Sequence, residues 1–412
     1  MKLKPVILSL VSLLPSAYIH AAALDQSGQS ILAFLEDNNY FEASITAVDP
    51  HISGQVRNRA DLVGDSQDLS TGNMGNNFQY YNAALKLQLN DQFAFGLIYD
   101  QPYGADIRYP MKSNNTFSDN EISQQATSVN VDTQNVNLIL GYSPVKNFQV
   151  YAGPVYQTVK GNVALRGNSY SIFSGYDANF KEDHAFGWLA GLSYQIPEIA
   201  LKAAITYRSK IDHDIDARES IYGQALELTQ ANKTKISTPQ SVNIDFQTGV
   251  YKDTLAYANL RWVNWKDFVI RPTQFGAMTE MATGEMTQGL YDGGFNLDGY
   301  QKDQYGITLG LGHQFSQQWS ASGEVSWDSG TGNPASTLNP TKGSVGVGLG
   351  VQFNPAQNYF IAAGVKYLWL GDATAEDGTY YLPIPGIKPI AEQADFKDNY
   401  AMAYGLKIGY RF

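Results

Sequence analysis

The sequence ends in Tyr404-Gly405-Leu406-Lys407-Ile408-Gly409-Tyr410-Arg411-Phe412. Tyr404, Leu406, Ile408, Tyr410 and Phe412 are large and apolar, and the residues between them are small or cationic. Strict period two makes a β-strand whose two faces differ in chemistry. One such strand fits the edge of a soluble sandwich. A repeat of the pattern along the chain points instead to a wall with a greasy outside and a polar inside.

The pattern repeats. Val136, Leu138, Leu140 and Tyr142 alternate, and Phe148, Val150, Ala152 and Tyr156 follow after a short turn. Phe186, Trp188, Ala190, Leu192 and Tyr194 lead through Pro197–Glu198 to Leu201, Ala203, Ile205 and Tyr207. Similar pairs surround Asn90–Asp91, Lys252–Thr254, Ser316–Gln318 and Asn354–Gln357. With a first strand near Phe41–Ser53 and the closing strand, the count is fourteen. Six connections are tight and seven long, and they alternate. An even count with short turns on one side and long loops on the other is the signature of a bacterial transmembrane β-barrel. The predicted fold is therefore an all-β, fourteen-stranded antiparallel barrel over 41–412, with Tyr404–Phe412 as the strand offered to the barrel-assembly machinery. The alternation falters at Asn264–Trp265, which predicts a β-bulge there.

At the other end, Lys2 and Lys4 precede the apolar run Val6–Leu14, and Ala21-Ala22-Ala23 supplies a cleavage site. Residues 1–23 are expected to be a secretory signal peptide, which directs the chain toward a bacterial outer membrane with lipid and lipopolysaccharide around it. The 28 Lys and Arg against 39 Asp and Glu give a net charge of −11, and removing Lys2 and Lys4 leaves −13. Such acidity disfavours nucleic acid as a partner. Without cysteine there is no disulfide framework. The 27 Tyr outnumber Phe and Trp together, and the 38 Gly suit a crowded inner wall. Mean hydropathy is negative, because only alternate residues of a barrel meet lipid.

The opposite strand faces carry Lys202, Thr206, Arg208 and Lys210, then Asn243, Asp245, Gln247, Arg261, Glu324, Lys366, Lys407 and Arg411. A Lys or Arg facing lipid at mid-depth costs about 2–4 kcal/mol, so these belong in the lumen. They brace the wall through ion pairs, or a subset (Arg208, Lys210 and Arg261) meets the carboxylate of an amphipathic ligand.

Three features point to hydrophobic cargo. One long loop crowds Tyr170, Ile172, Phe173, Tyr176 and Phe180, and the next carries Ile221, Tyr222, Leu226 and Leu228; these are candidate capture loops for an apolar ligand. A later loop carries Phe275, Met278, Met281, Met286, Tyr291 and Phe295. Gln101-Pro102-Tyr103-Gly104 interrupts the third strand, where Pro cannot donate to a ladder and Gly weakens one; such a break is a candidate side door into lipid. Finally, 24–40 contains Ile31-Leu32-Ala33-Phe34-Leu35, enough for a short helical segment that tucks into the barrel as a plug.

These segments together resemble the FadL-type outer-membrane transporters of long-chain fatty acids and other hydrophobic compounds, a group that includes aromatic-hydrocarbon importers. The resemblance rests on DPHISG (Asp49–Gly54), NDQFAFG (Asn90–Gly96), QPYGA (Gln101–Ala105), TYRSKIDHDI (Thr206–Ile215), TPQSVNI (Thr238–Ile244) and LRWVNWKDF (Leu260–Phe268), in order over nearly the whole mature chain. It implies an amino-terminal hatch inside the barrel, ligand capture in the third and fourth external loops, and sideways release at Gln101–Gly104. The hatch of that family usually carries Asn-Pro-Ala before the first strand; here Asn-Pro-Ala is absent from that position and stands at Asn333–Ala335, in a loop, and at Asn354–Ala356, in a tight turn.

An enzyme is not expected, because beyond the signal only His51, His184, His213 and His313 occur, in no nucleophilic or metal-ligating pattern. No cofactor or metal is expected. The alternatives are a general diffusion porin, and a surface adhesin or phage receptor using the long loops. A monomer is expected, as nothing in the sequence specifies an oligomer.

Overall fold

Fourteen antiparallel strands, counted among the described residues, each pair with their neighbour in sequence, and the last pairs with the first. The computed structural model describes residues 24–230 and 233–412; the expected signal peptide, 1–23, lies outside them. The strands are β1 (Tyr40–His51), β2 (Phe78–Gln88), β3 in two arms (Phe93–Asp100 and Gly104–Arg108), β4 (Ser128–Val145), β5 (Phe148–Ala164) and β6 (Tyr176–Ile196). They continue as β7 in two arms (Leu201–Arg208 and Ile211–Ile221), β8 in two arms (Lys233–Thr238 and Ser241–Tyr251), β9 (Thr254–Val263) and β10 (Gln304–Gln314). The last four are β11 (Trp319–Asp328), β12 (Ser344–Ala356), β13 (Tyr359–Leu370) and β14 (Tyr400–Arg411). Closure is set by Ile408, opposite Ile361 on β13 and Ala43 on β1. A closed sheet has no free edge, which is what a strand needs where no water can satisfy its amides.

The alternation read in the sequence is the alternation of the wall. Tyr404, Leu406, Ile408 and Tyr410 are exposed, whereas Ala403 is wholly buried and Lys407 is 7% exposed. Aromatic residues gather at both ends of the exposed band. On β11, Trp319 and Trp327 both face outward, and the eight steps from one to the other span about 27 Å along the strand. Tilt reduces that toward the ~25 Å height of a lipid-facing band. Phe353 packs at a tilt against Trp319, 4.6 Å between ring centres, and Tyr142 lies 5.2 Å from Phe93. The six short connections lie at one end, and the long ones (described over 52–77, 109–127, 165–175, 222–230, 264–303, 329–343 and 371–399) at the other. No helix among the described residues is long and apolar enough to cross a membrane.

The irregularity expected at Asn264–Trp265 is not a bulge. β9 ends at Val263, and Trp265–Asp267 is a 3-10 turn that carries the Trp265 ring, wholly buried, back over the barrel interior.

β7 and β8 are each interrupted by two residues at the same level, Ser209–Lys210 opposite Pro239–Gln240. Above that break the wall reverses its chemistry. Asp212, Asp214 and Asp216 face outward and lie opposite Ser237, Lys235 and Lys233, whereas Ile211 and Ile215 turn inward. Charged outer faces are incompatible with lipid tails, so the upper arms stand clear of the hydrocarbon.

The segment 24–39 makes its contacts with inward-facing side chains around the wall. Asp25 pairs with Arg261 of β9, and Ser27 Oγ donates to Asp100 of β3. The Gly28 carbonyl accepts from Asn243 of β8, and the Glu36 carbonyl from Lys86 of β2. Its 3-10 turn, Leu32–Leu35, drives Phe34 into an apolar cluster with Ile98, Ile139, Tyr151 and Val155. A Cβ added at Gly96 or Gly141 would fall 2.4 or 2.8 Å from the Phe34 ring, so both glycines leave room for that side chain. Glu36 lies between Lys202 at 3.4 Å and Arg411 at 3.1 Å. Burial opposes its charge, but the two cations outweigh it and hold the carboxyl at about 2.

Candidate functional site

Three residues, Gln101–Tyr103, separate the two arms of β3, while only Thr133 and Gln134 separate their partners on β4. The extra residue and the missing Pro102 N–H prevent a continuous ladder. The chain bends inward and pairs with the amino-terminal segment instead. Gln26 N–H donates to the Pro102 carbonyl (2.8 Å), and Gly104 N–H to that of Leu24 (2.9 Å). Tyr103 is thereby fixed, its N–H donating to Thr133 Oγ1 at 2.9 Å.

On the other side of the kink the wall is open. β2 pairs with β3 only from Ala83–Tyr99 to Gln88–Ala94. Its upper residues, Phe78–Asn82, pair with β1 alone. The opening is bounded below by the Ala83–Tyr99 rung and above by Asn76, whose N–H donates to the Asp106 carbonyl at 3.2 Å. Across it run few links, among them Tyr81 N–H to Gln101 Oε1, 2.8 Å. A cavity of about 210 Å³ occupies the gap, lined by Gln26, Phe78, Gln79, Gln101 and Tyr103 among others.

Behind it lies a second, apolar cavity in the upper lumen. β4 and β5 contribute Val129, Val131, Val159 and Val163, and the upper arms of β7 and β8 contribute Ile215 and Ile236. Phe180, Trp265, Phe268, Ile270, Leu297 and Leu338 complete it. The charged residues among its lining are Lys160, which is half exposed and 3.8 Å from Asp132, and Asp298. Its free volume is about 50 Å³, against the ~150 Å³ that admits a benzene in an engineered cavity. The cavity is therefore closed as it stands, and a guest must part its side chains. The two cavities share Tyr103, Ala105, Val131 and Thr133. The Tyr103 ring meets Trp265 edge-on at 5.4 Å, and its hydroxyl reaches the Pro239 carbonyl at 3.4 Å.

Beneath Tyr103 the lumen is crossed by a polar layer. Arg261 Nε and Nη2 donate to the two carboxylate oxygens of Asp25 at 2.6 and 3.1 Å. Its Nη1 donates to Asn243 at 2.7 Å, and Nη2 also to Gln29 at 3.1 Å. Asp25 and Arg261 are both essentially inaccessible. Arg208 is buried nearby, and its Nη1 has no hydrogen-bond partner among the described residues. Lys210 does not join them. It stands in the β7 break, 63% exposed, with Nζ 3.3 Å from Asp212 Oδ1; Arg208 and Ile211, three positions apart, both face inward, so the alternation slips by one across the break and leaves Lys210 outside.

Of the capture-loop candidates, Phe180 alone lines the apolar cavity. Tyr170 is buried with its hydroxyl on Thr337 Oγ1 (3.1 Å), and Tyr176 donates to Glu219 Oε2 (2.8 Å). Phe173 packs against Phe275 and Phe295, Leu226 packs on the same core, and Ile221 is half-buried. Ile172 and Tyr222 point into solvent. The sequence reading missed Asp25, Gln29 and the inward upper-wall residues Val129, Val131, Val159, Ile215 and Ile236. A signal existed for Val129, Val131 and Val159, whose odd positions oppose the even, lipid-facing Val136–Tyr142 and Val150–Tyr156; Ile215 and Ile236 keep the parity of the lipid-facing Ile205 and Ile244, so alternation hides them.

The family described as outer membrane protein transport protein (OMPP1/FadL/TodX) matches residues 22–412. Among solved structures, a Pseudomonas aeruginosa FadL homologue superposes with a TM-score of 0.65 at 14% identity, over 91% of each chain. The P. putida toluene transporter TodX superposes with a TM-score of 0.60 at 13% identity, over 92% of each chain. No curated protein matches the sequence. The chain belongs to the OMPP1/FadL/TodX family of outer membrane transport proteins.

Proposed function

We propose that this member of the outer membrane transport family carries neutral hydrophobic molecules, aromatic or aliphatic hydrocarbons, across the outer membrane of a Gram-negative bacterium. It does so as a monomer and without an energy source, surrounded by lipid and lipopolysaccharide, after delivery of Tyr404–Phe412 to the barrel-assembly machinery. The cargo enters among the aromatic loops, occupies the apolar upper chamber and leaves sideways through the gap between β2 and β3. Residues 24–40 close the axial route as a plug.

The observation that carries this reading is the pair of cavities separated by Tyr103. One is apolar and internal; the other breaches the wall; they share four lining residues. Straight down the lumen an apolar molecule meets the Asp25–Arg261 layer and gains nothing, whereas in the chamber it gains roughly 25 cal/mol per Å² buried. Among the described residues, the one cation of the chamber lining, Lys160, lies against Asp132, which favours neutral cargo over fatty acids. A second reading has one observation behind it: the unpartnered Arg208 Nη1 would accept a fatty-acid carboxylate that slides past Tyr103.

Proteoliposomes decide between these and a porin. Uptake of a neutral arene that a long-chain fatty acid does not compete away, with no swelling in sugars, is the expected result. Competition by the fatty acid moves the assignment to the second reading. Swelling in sugars returns a general diffusion porin and removes the transport proposal.

A further inference from the structure

Loops 264–303 and 371–399, with Ser336, line a cleft of about 490 Å³ that shares Leu297 and Asp298 with the apolar chamber. Its walls include four aromatic side chains, Tyr291, Phe295, Tyr300 and Tyr381, and two carboxylates, Asp298 and Glu376. Glu376 ends a short strand, Ala373–Glu376, and is 5% exposed. Its Oε2 has no hydrogen-bond partner among the described residues. Leaving a carboxylate oxygen buried and unmatched is costly, and a group that persists in that condition is explained by a missing partner.

The neighbouring groups do not supply one. Asp377 is held by Thr379 N–H and Gln393 Nε2. Arg271 also lines the cleft, but its Nη2 donates to Glu280 Oε1 and the Gly293 carbonyl, both at 2.7 Å. Burial pushes Asp298 up to about 6 and raises Glu376 well above the usual carboxyl range, with Asp377 and Asp298 adding to the effect on Glu376. Among the described residues that line the cleft, the one cation, Arg271, is thus engaged with Glu280 and not with Glu376 or Asp298. No group of three acidic or histidine side chains among the described residues converges as metal ligands do. Aromatic faces, however, attract a large, weakly hydrated cation.

We propose that this cleft binds an organic ammonium group, held by Glu376 and Asp298 and enclosed by the aromatic walls of Tyr291, Phe295, Tyr300 and Tyr381. The site lies in the external loops, is distinct in chemistry from the neutral cargo chamber, and does not depend on the transport reading.

Calorimetry on the purified full-length protein in detergent tests it, with choline as the probe and 3,3-dimethylbutan-1-ol as its uncharged isostere. Choline is expected to bind saturably and about tenfold or more tightly than the isostere. Glu376→Gln is expected to weaken choline by about tenfold and leave arene uptake unchanged. Retained heat-modifiable mobility on gels checks the fold; should that variant fail it, Tyr381→Leu, at a half-exposed position, is expected to weaken choline alone. Equal affinity for the isostere, no saturable choline binding, or choline binding unaltered by these substitutions overturns the proposal.

Discussion

The same strands build two unlike compartments. In the lower half of the barrel, Leu138, Leu140, Val150 and Trp188 face outward while Asn135, Asn137, Tyr151 and Gln157 face in. In the upper half, Lys160, Asn162, Asp212 and Asp214 face outward while Val129, Val159, Val163 and Ile215 face in. A wall in lipid must be apolar outside and can be wet inside. A wall standing in water can reverse, and only there can it enclose an oily chamber without leaving the bilayer-facing surface polar. The Asp25–Arg261 layer and Tyr103 mark the boundary, and the β3 kink opens the wall at that level.

The comparison breaks hardest at the kink. Deleting Pro102 equalises the residue count with β4 and lets the ladder run through, so arene uptake by cells is expected to fall by about tenfold or more while the barrel still folds. Uptake that survives in a folded variant sinks sideways release and leaves both compartments as described.

The floor between the compartments is next. Arg261→Met leaves Asp25 buried and uncompensated, a change worth about 3–5 kcal/mol for such pairs. The amino-terminal segment should then undock, seen as faster proteolysis near 24–39 and as sugar permeation. Adding Asp25→Leu should recover much of the loss, because a buried pair replaced by apolar groups costs little. If Arg261→Met changes neither readout, the layer is not what closes the axial route.

The smallest effect sharpens the chamber itself. Val159→Thr keeps the shape and adds a buried hydroxyl, which costs roughly 1–3 kcal/mol where nothing accepts its bond. Arene affinity should weaken by about tenfold in a binding titration, without change in fold or in sugar exclusion. The matching change at Val150, on the lipid face, should leave affinity untouched; equal losses at both positions would erase the distinction between compartments.

The fold was legible because its code is local. Strict alternation from Val136 to Tyr142 or Tyr404 to Phe412 is a statement about neighbours two apart, and lipid enforces it on every strand. Connection lengths gave the two ends, and Pro102 beside Gly104 marked the kink, since neither residue supports a ladder. Lys210 lies outside because the alternation slips by one at the break, with Arg208 and Ile211 both facing inward, and the run of polar and apolar residues in sequence carries no mark of that slip. Asn264–Trp265 was taken for a bulge because a strand's end and its interruption look alike in one dimension.

What the sequence alone determined is the lipid-facing cylinder, its strand count and the position of its weak point: each follows from short-range periodicity under one strong constraint. What only the tertiary structure decided is the use of the interior. Asp25 reaches Arg261 across 236 positions of chain, Tyr103 reaches Pro239, and the gap exists because β2 loses its partner when β3 turns inward. Such pairings depend on where a closed sheet brings distant side chains together, and no local pattern encodes that.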